Sequence, residues 1–570
     1  MNGKIWKALG IAVCMLALAA PRAMAKTIMH TVTADTHFAD VVKNINASGV
    51  DDENVIELCA DITLTGNHTL KRSTTIKSKD EDRKISIEGS NAGITVAREG
   101  TVLNLGAKGY DKKLTIEGDG DAKIQAAFVT VSEGATANMY ENVTLQNRKS
   151  TGNACIVIMG SKSVFNMRGG VTENCSRAAI ADSGATFHMF DGEIKDCKVN
   201  GDGVILVYGE SKFIMDGGTI SGCEADAGGG LYADNSTVTI SGGTISGCKG
   251  VWGGGLYAEN SSTIEISGGT ISGCTVGAGG GLFVDSSTVR ISGGIISGCI
   301  TSDTGNGGGL YAYNSTLNIT GGTIKDNKAA YGGGVALIGV TTFEKPITNW
   351  TVIGNEAYET GGTGGIGGGI KLENGSMNVS DGSNKIYNNK ADRHGADIFL
   401  WNENAKIQLP IAANMNVNYH NSGIKIDNWY NDNPRYTPSE NGAVVEANKL
   451  LTGELSLVAS YKAIPTCTVT IDANGGVGGS GSQTVQKGTT VTLEAPTKEG
   501  HLFKGWKDGE KVHQAGETIT VTGDMTLTAE WKKLPSAENL PKTGDESPVL
   551  LWGAALAVSA AACFMLRRKK

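Results

Sequence analysis

The chain has 570 residues, with 50 Lys and Arg against 58 Asp and Glu, a net charge of −8. That balance, with no basic patch interleaved with aromatics, excludes nucleic acid as an expected partner and argues against an anionic membrane surface. Glycine contributes 81 residues, about twice the average fraction, but proline only 10, so a disordered Gly-rich linker is not expected.

At the N-terminus, Lys4 and Lys7 precede an apolar run from Ala8 to Ala20. Ala23-Met24-Ala25 then offers small residues for cleavage, so residues 1–25 read as a secretory signal peptide cut after Ala25. Next, Asp35 to Ile45 has an N-cap residue and helical spacing, as expected of a cap on a first coil. Ile56-Glu57-Leu58, Ile62-Thr63-Leu64, Thr75-Ile76 and Leu114-Thr115-Ile116 alternate as short strands do. Pro21 is followed by no proline until Pro346, which fits backbone N–H groups committed to sheet ladders.

A repeat dominates the middle of the chain. Gly217-Gly218-Thr219-Ile220-Ser221-Gly222-Cys223 returns at Gly242, Gly268 and, with one change, Gly293; a weaker copy begins at Gly321. Gly-Gly-Gly-Leu-Tyr-Ala and an alternating run such as Thr237-Val238-Thr239-Ile240 lie between copies. A period of about 25 residues built of short strands and Gly turns predicts stacked coils. Stacking would bury Ile220, Ile245, Ile271, Ile296 and Ile324 in one inner column.

The seventh position of the unit reads Asn147, Cys175, Cys197, Cys223, Cys248, Cys274, Cys299, Asn327, Asn355 and Asn389. Stacked asparagines can hydrogen-bond along such a column. For the six cysteines three readings stay open: buried thiols used as small apolar packing, disulfides between adjacent coils, or a thiolate metal or redox column. Cys59, Cys155 and Cys467 fall outside the column. Tyr232, Tyr257, Phe283 and Tyr311 each follow an inward Leu, so alternation points their rings outward, where a ladder could bind a ligand or stack on itself. Asp234, Glu259 and Asp285 run beside them. One carboxylate per coil is sparse for Ca²⁺, and no metal or other cofactor is expected.

These repeats resemble the right-handed parallel β-helix of pectin-lyase-like proteins, and within that group the coils of polymorphic outer-membrane adhesins. The resemblance implies an all-β solenoid over residues 26–465, caps included, with Asn416, Asn418, Tyr419, Asn421, Trp429 and Tyr430 in its irregular end. It is specific for fold and silent on activity, since lyases, hydrolases and adhesins share the fold. A second domain over 466–533 carries Asn474-Gly475, Pro496, Phe503-Lys504-Gly505-Trp506 and Asp524 to Trp531. It resembles the internalin B-type, or Listeria–Bacteroides, repeat, a β-grasp-like module in which Asn474-Gly475 suits a hairpin turn and Trp506 and Trp531 would fill the core.

Residues 534–548 hold a linker and the motif Leu540-Pro541-Lys542-Thr543-Gly544. Val549 to Leu566 is long and apolar enough to cross a bilayer, and Arg567 to Lys570 completes a segment 549–570 with a basic end that halts export. The order resembles the sortase sorting signal of Gram-positive surface proteins. The resemblance implies cleavage between Thr543 and Gly544, sortase as a transient partner, and covalent attachment to peptidoglycan through Thr543.

Catalytic residues are not expected. The galacturonase-type series of Asn-Thr-Asp, Gly-His-Gly and Arg-x-Lys is absent. Arg393-His394-Gly395-Ala396-Asp397 follows a predicted turn, where a coil exit needs polar and small residues. The resemblances imply a cell-wall-anchored adhesin or binding protein for a glycan or host surface protein. A β-helix polysaccharide lyase or hydrolase and a spacer or coat protein are the alternatives.

Overall fold

A computed structural model of the chain describes residues 26–118, 126–149, 154–379, 384–409, 467–485 and 489–534. It adds the backbone of 424–431, 443–444, 450–452, 455–463, 466 and 486. The predicted signal peptide, the LPKTG motif, the membrane-length segment and most of 410–465 lie outside the described residues. Contacts divide the chain into two compact units, up to residue 462 and from 463 onward, apart from 418–424.

The first unit is a parallel β-helix. Apolar residues recurring at helical spacing form the helix Phe38–Ala47, which buries Phe38, Val41, Val42 and Ile45. His37 occupies its N-cap without a side-chain cap bond, so the Asp35 region does not cap it as expected. Asn46 ties the helix to the first coils, donating to the Thr69 carbonyl at 2.8 Å and accepting from Lys71 N–H at 2.8 Å.

A regular coil is read best from Leu231 to Gly255. Leu231–Asp234 forms the ring face, Thr237–Ile240 the alternating face, Thr244–Ser246 a short face, and Lys249–Trp252 a bridge strand before the next Gly-Gly-Gly. The bridge strand makes a fourth strand in this coil. On the ring face thirteen strands, from Asn67–Leu70 to Ile398–Leu400, pair in parallel. The backbone needs glycine where one coil passes over the last: a Cβ on Gly242 would lie 2.2 Å from the Asp216 carbonyl oxygen.

Period-2 alternation sorts the side chains. Ile220, Ile245, Ile271, Ile296 and Ile324 pair in register and are all buried, as expected. Phe165, Phe187 and Phe213 form an inner edge-to-face ladder, with centroids 5.7 and 5.5 Å apart. A serine ladder turns one corner: the N–H groups of Ser236, Ser262 and Ser287 each donate to the hydroxyl of the serine one coil on. Antiparallel strands end the parallel stacking, Leu455–Ala463 on Ile398–Leu400 and Leu450–Thr452 on Ala405–Gln408.

The second unit is a small mixed sheet. Thr466–Asp472 pairs in parallel with Met525–Lys533, and Gly481–Gln486 and His501–Asp508 flank that pair antiparallel. Trp506 is buried and donates its indole N–H to the Glu494 carbonyl at 3.0 Å; Trp531, half-buried, donates to that of Ala473 at 3.0 Å. Asn474 and Gly475 have positive φ, 48° and 77°. They sit in a longer connection between Thr466–Asp472 and Gly481–Gln486, not in a two-residue hairpin.

Candidate functional site

The ring face carries the largest concentration of chemistry. Leu206, Tyr232, Tyr257, Phe283, Tyr311, Ala336, Lys371 and Phe399 occupy one register position, one coil apart. Their neighbours Leu231, Leu256, Leu282 and Leu310 are wholly buried in the coil interior, so the rings point outward as expected. They do not form an open ladder. Tyr257 stacks on Phe283 at 4.8 Å, and Phe283 on Tyr311 at 4.5 Å and 8°. Tyr232 and Phe283 are only 7% and 6% exposed.

The reason is a second column, which sequence alternation did not reveal. Paired backbone places Ala227 beside Trp252, Trp252 beside Ala278, and Asn306, Tyr331, Ile366 and His394 in line. These residues precede the Gly-Gly-Gly turns and cover the rings from the side, with Trp252 5.7 Å from Phe283 between centroids. What stays exposed is the rim: Trp252, Tyr313 and Trp401 are 47%, 37% and 41% exposed, and Val251 and Ile300 on the bridge strands are exposed too.

Carboxylates line the other side. Tyr208, Asp234 and Glu259 are register neighbours, as are Asp285 and Tyr313. Glu259 accepts the hydroxyl protons of both Tyr232 and Tyr257. Burial and then this carboxylate push both hydroxyls far up. Burial, with Glu373, Tyr313 and Asp285, pushes Tyr311 up to about 12. Asp202 is pushed up by burial and by Glu259, Asp226 and Asp234, against the pull of Arg177. Among the described residues no group of three or more His, Cys, Asp or Glu is placed to hold a metal ion.

At the far end the column exchanges its ring for a cation. Lys371 is 5% exposed and lies 4.4 Å from the Trp401 ring and 4.9 Å from the Tyr331 ring, with Glu373 at 3.6 Å. Burial lowers its pKa despite Glu373. Nearby, Arg393 is exposed, His394 keeps a buried Nδ1 without a hydrogen bond, and Asp397 is 1% exposed. Asp397 accepts from Asn389, from its backbone N–H at 3.0 Å and its amide at 2.8 Å. Arg393–Asp397 is therefore a coil exit whose carboxylate ends the asparagine column.

The cysteine column lies inside. Cys175, Cys197, Cys223, Cys248, Cys274 and Cys299 are all buried, and no disulfide joins them in this structure. Hydrogen bonds donated to neighbouring thiols, together with burial, push Cys197, Cys248 and Cys299 well up. The first column position differs from expectation. Gln146, Glu173 and Lys195 are register partners, so the residue two further on is Arg148, not Asn147. Arg148 fills the column position, fully buried, while Asn147 takes the preceding left-handed turn at φ 62°. Cys155 lies outside the column, as expected, at the position before the ring-face strand, but its sulfur is 2.8 Å from that of Cys175.

Two polar clusters lie outside the ring face. Ser241 donates to Asp216 at 2.6 Å and His188 pairs with the same carboxylate at 2.7 Å. The hydrogen bonds from Ser241 and His188 hold Asp216 low. The serine proton is committed to the carboxylate and not to the imidazole, so no activated nucleophile results. A groove of about 320 Å³ on the alternating face is lined by Glu265, Arg290, Asn318 and Lys345. Arg290 lies 3.8 Å from Glu265 and 3.2 Å from Glu344 and occupies both carboxylates.

Comparison with known proteins places two regions. Residues 154–293 and 183–433 match the model of the right handed beta helix region, and residues 468–530 match the Listeria-Bacteroides repeat domain. The chain thus carries a right-handed β-helix and one such repeat. A "Putative Gly-rich membrane protein" of Evansella cellulosilytica is 37% identical over 84 residues, 14% of this chain and 10% of that protein. The chain therefore spans about a tenth of that relative's length. No solved structure gives a significant match. Among the described residues no helix is long and apolar enough to cross a membrane; Val549 to Leu566 lies outside them.

Proposed function

We propose that this is an exported, wall-anchored surface protein that binds a glycan or a glycan-bearing host protein along its ring face. The observation that carries the reading is the strip itself. A stacked aromatic column is flanked by exposed Trp252, Tyr313 and Trp401 and by a row of carboxylates. Aromatic edges cover the apolar faces of sugar rings, and carboxylates accept their hydroxyls. The Leu540–Gly544 motif and the segments at both ends support export and anchoring, with sortase and peptidoglycan as the partners in that step.

The binding reading is tested with the secreted span Lys26–Thr543 on a panel of plant, microbial and host polysaccharides. Retention on one class is expected, weakened at least tenfold by Trp252→Ala or Trp401→Ala, with no new chain ends. Retention that both variants leave untouched would move the site off this face. A polysaccharide-cleaving reading has one observation in its favour, the groove lined by Glu265 and Arg290, with Glu344 paired to that arginine. New chain ends that vanish in Glu265→Gln would establish it. Thr543→Ala should release the protein from covalent wall linkage; wall-bound protein resistant to detergent would refute the anchoring step.

A further inference from the structure

The last glycine of each Gly-Gly-Gly turn faces the column residue across its own coil. A Cβ placed on Gly230, Gly255 or Gly281 would lie 3.5, 3.4 or 3.3 Å from the sulfur of Cys248, Cys274 or Cys299. In a disulfide the Cβ of one cysteine lies about 3 Å from the sulfur of the other. The position is thus close to bonding geometry in three regular coils, but glycine leaves it without a thiol. One coil supplies the thiol. Cys155 stands immediately before Ile156–Met159, as Gly230 stands before Leu231–Asp234. Its sulfur is 2.8 Å from that of Cys175, inside ordinary non-bonded contact. The two residues are 0% and 2% exposed.

We propose that Cys155 and Cys175 form a disulfide in the exported protein, a brace across a single coil, while Cys197, Cys223, Cys248, Cys274 and Cys299 remain thiols. Those five face Ala178, Val204 and glycines at the equivalent position, none of which can bond to sulfur. Since both thiols are enclosed in the finished coil, exchange takes place while the coil is still closing. The Cys175 thiolate attacks an exchangeable small disulfide such as oxidised glutathione, an S–S bond forms, and one glutathione thiolate leaves. Cys155 loses its proton to solvent, attacks the Cys175 sulfur of the mixed disulfide, and expels the second thiolate. Two electrons pass to the glutathione disulfide, which departs as two thiols.

The test uses Lys26–Thr543 refolded in a glutathione redox buffer, then denatured, alkylated without reduction and mapped by mass spectrometry. Seven of its nine cysteines should be alkylated, and one linked peptide pair should contain Cys155 and Cys175, about 2 Da lighter than the two reduced peptides. Alkylation of all nine, or a link between column neighbours such as Cys175 and Cys197, would overturn the proposal. A Cys155→Ala variant that folds should show eight alkylated cysteines. In wild type alone, dithiothreitol should then speed proteolysis within residues 154–175; equal rates in both proteins would count against a brace. If that variant does not fold, the mapped link in wild type still decides.

Discussion

One column of the β-helix is built in two chemistries, and comparing them shows what the position demands. From Cys175 to Cys299 it is sulfur; from Asn327 to Asn389 it is amide. Both halves meet the same two needs. The side chain donates to the carbonyl two residues back: Cys248, Cys274 and Cys299 to Ser246, Ser272 and Ser297, each at 3.5 Å, and Asn355 and Asn389 to Ile353 and Tyr387 at 3.2 and 3.1 Å. The asparagines also receive the backbone N–H from one coil before, as Asn355 receives that of Asn327 at 3.0 Å, and Cys223, Cys274 and Cys299 receive those of Cys197, Cys248 and Cys274. The amide does more. Asn355 also donates to Asn389 and to the Ile324 carbonyl. The sulfur half makes fewer and weaker bonds and relies on packing. The amide half must be satisfied to its end, and Asp397 closes it.

The comparison breaks most severely at Asn355. Replacing it with Ala removes the acceptor for the N–H and the amide of Asn327, both buried. At ~1–3 kcal/mol for each buried group left unmade, the local cost should be about 3–5 kcal/mol. Because coils unfold locally, the readout is hydrogen exchange and protease cleavage between residues 327 and 389. Unchanged protection there would mean that water replaces the amide. A smaller effect is expected at Asp397. Ala should cost about 2–3 kcal/mol by orphaning two donors of Asn389, whereas Asn, which keeps an acceptor, should restore most of it. If Asn and Ala are equally damaging, the carboxylate charge itself matters and the ladder-end reading fails. Cys248→Ala should cost only about 1–2 kcal/mol, the loss of one small buried group.

Much of this architecture is legible in the sequence, and its gaps have physical causes. The Gly-Gly-Thr-Ile-Ser-Gly-Cys repeat places Ile220 to Ile324 inward because strands alternate and the period holds the register. Arg148 was missed because residue type stood in for register: Asn147 looks like a column residue, but Thr144-Leu145-Gln146 counts forward to Arg148. The contact of Cys155 with Cys175 was missed for the opposite reason. Its place is set by the Gly-Gly-Gly turn, where a thiol has no repeat to announce it. Cover of Phe283 comes from Trp252, brought alongside by the bridge strands, and local alternation says nothing of such lateral contact. Asp397 read as one of several polar residues after a turn; its role appears only when the carboxylate is found eight residues from Asn389 in sequence and 2.8 Å from it in space.

The junction between the two halves gives the smallest and sharpest test. Cys299 is the last sulfur, and its backbone N–H already donates to the Asn327 side chain at 2.9 Å. Cys299→Asn should therefore extend the amide ladder by one step. The new amide would find the Ser297 carbonyl that Cys299 now uses and the Asn327 oxygen beyond it, as Asn327 finds Asn355. The equivalent glycines tolerate the larger group, since a Cβ on Gly309 would lie 2.9 Å from the Asn327 amide nitrogen, closer than Gly281 comes to Cys299. The change should leave stability within ~1 kcal/mol of wild type, the net worth of a typical hydrogen bond. The same substitution at Cys223 has thiols on both sides and no amide oxygen to meet, so it should cost more. Hydrogen exchange over both coils compares the two. Equal costs would mean that the column tolerates polarity position by position, and that the unbroken run of amides contributes nothing beyond its separate bonds.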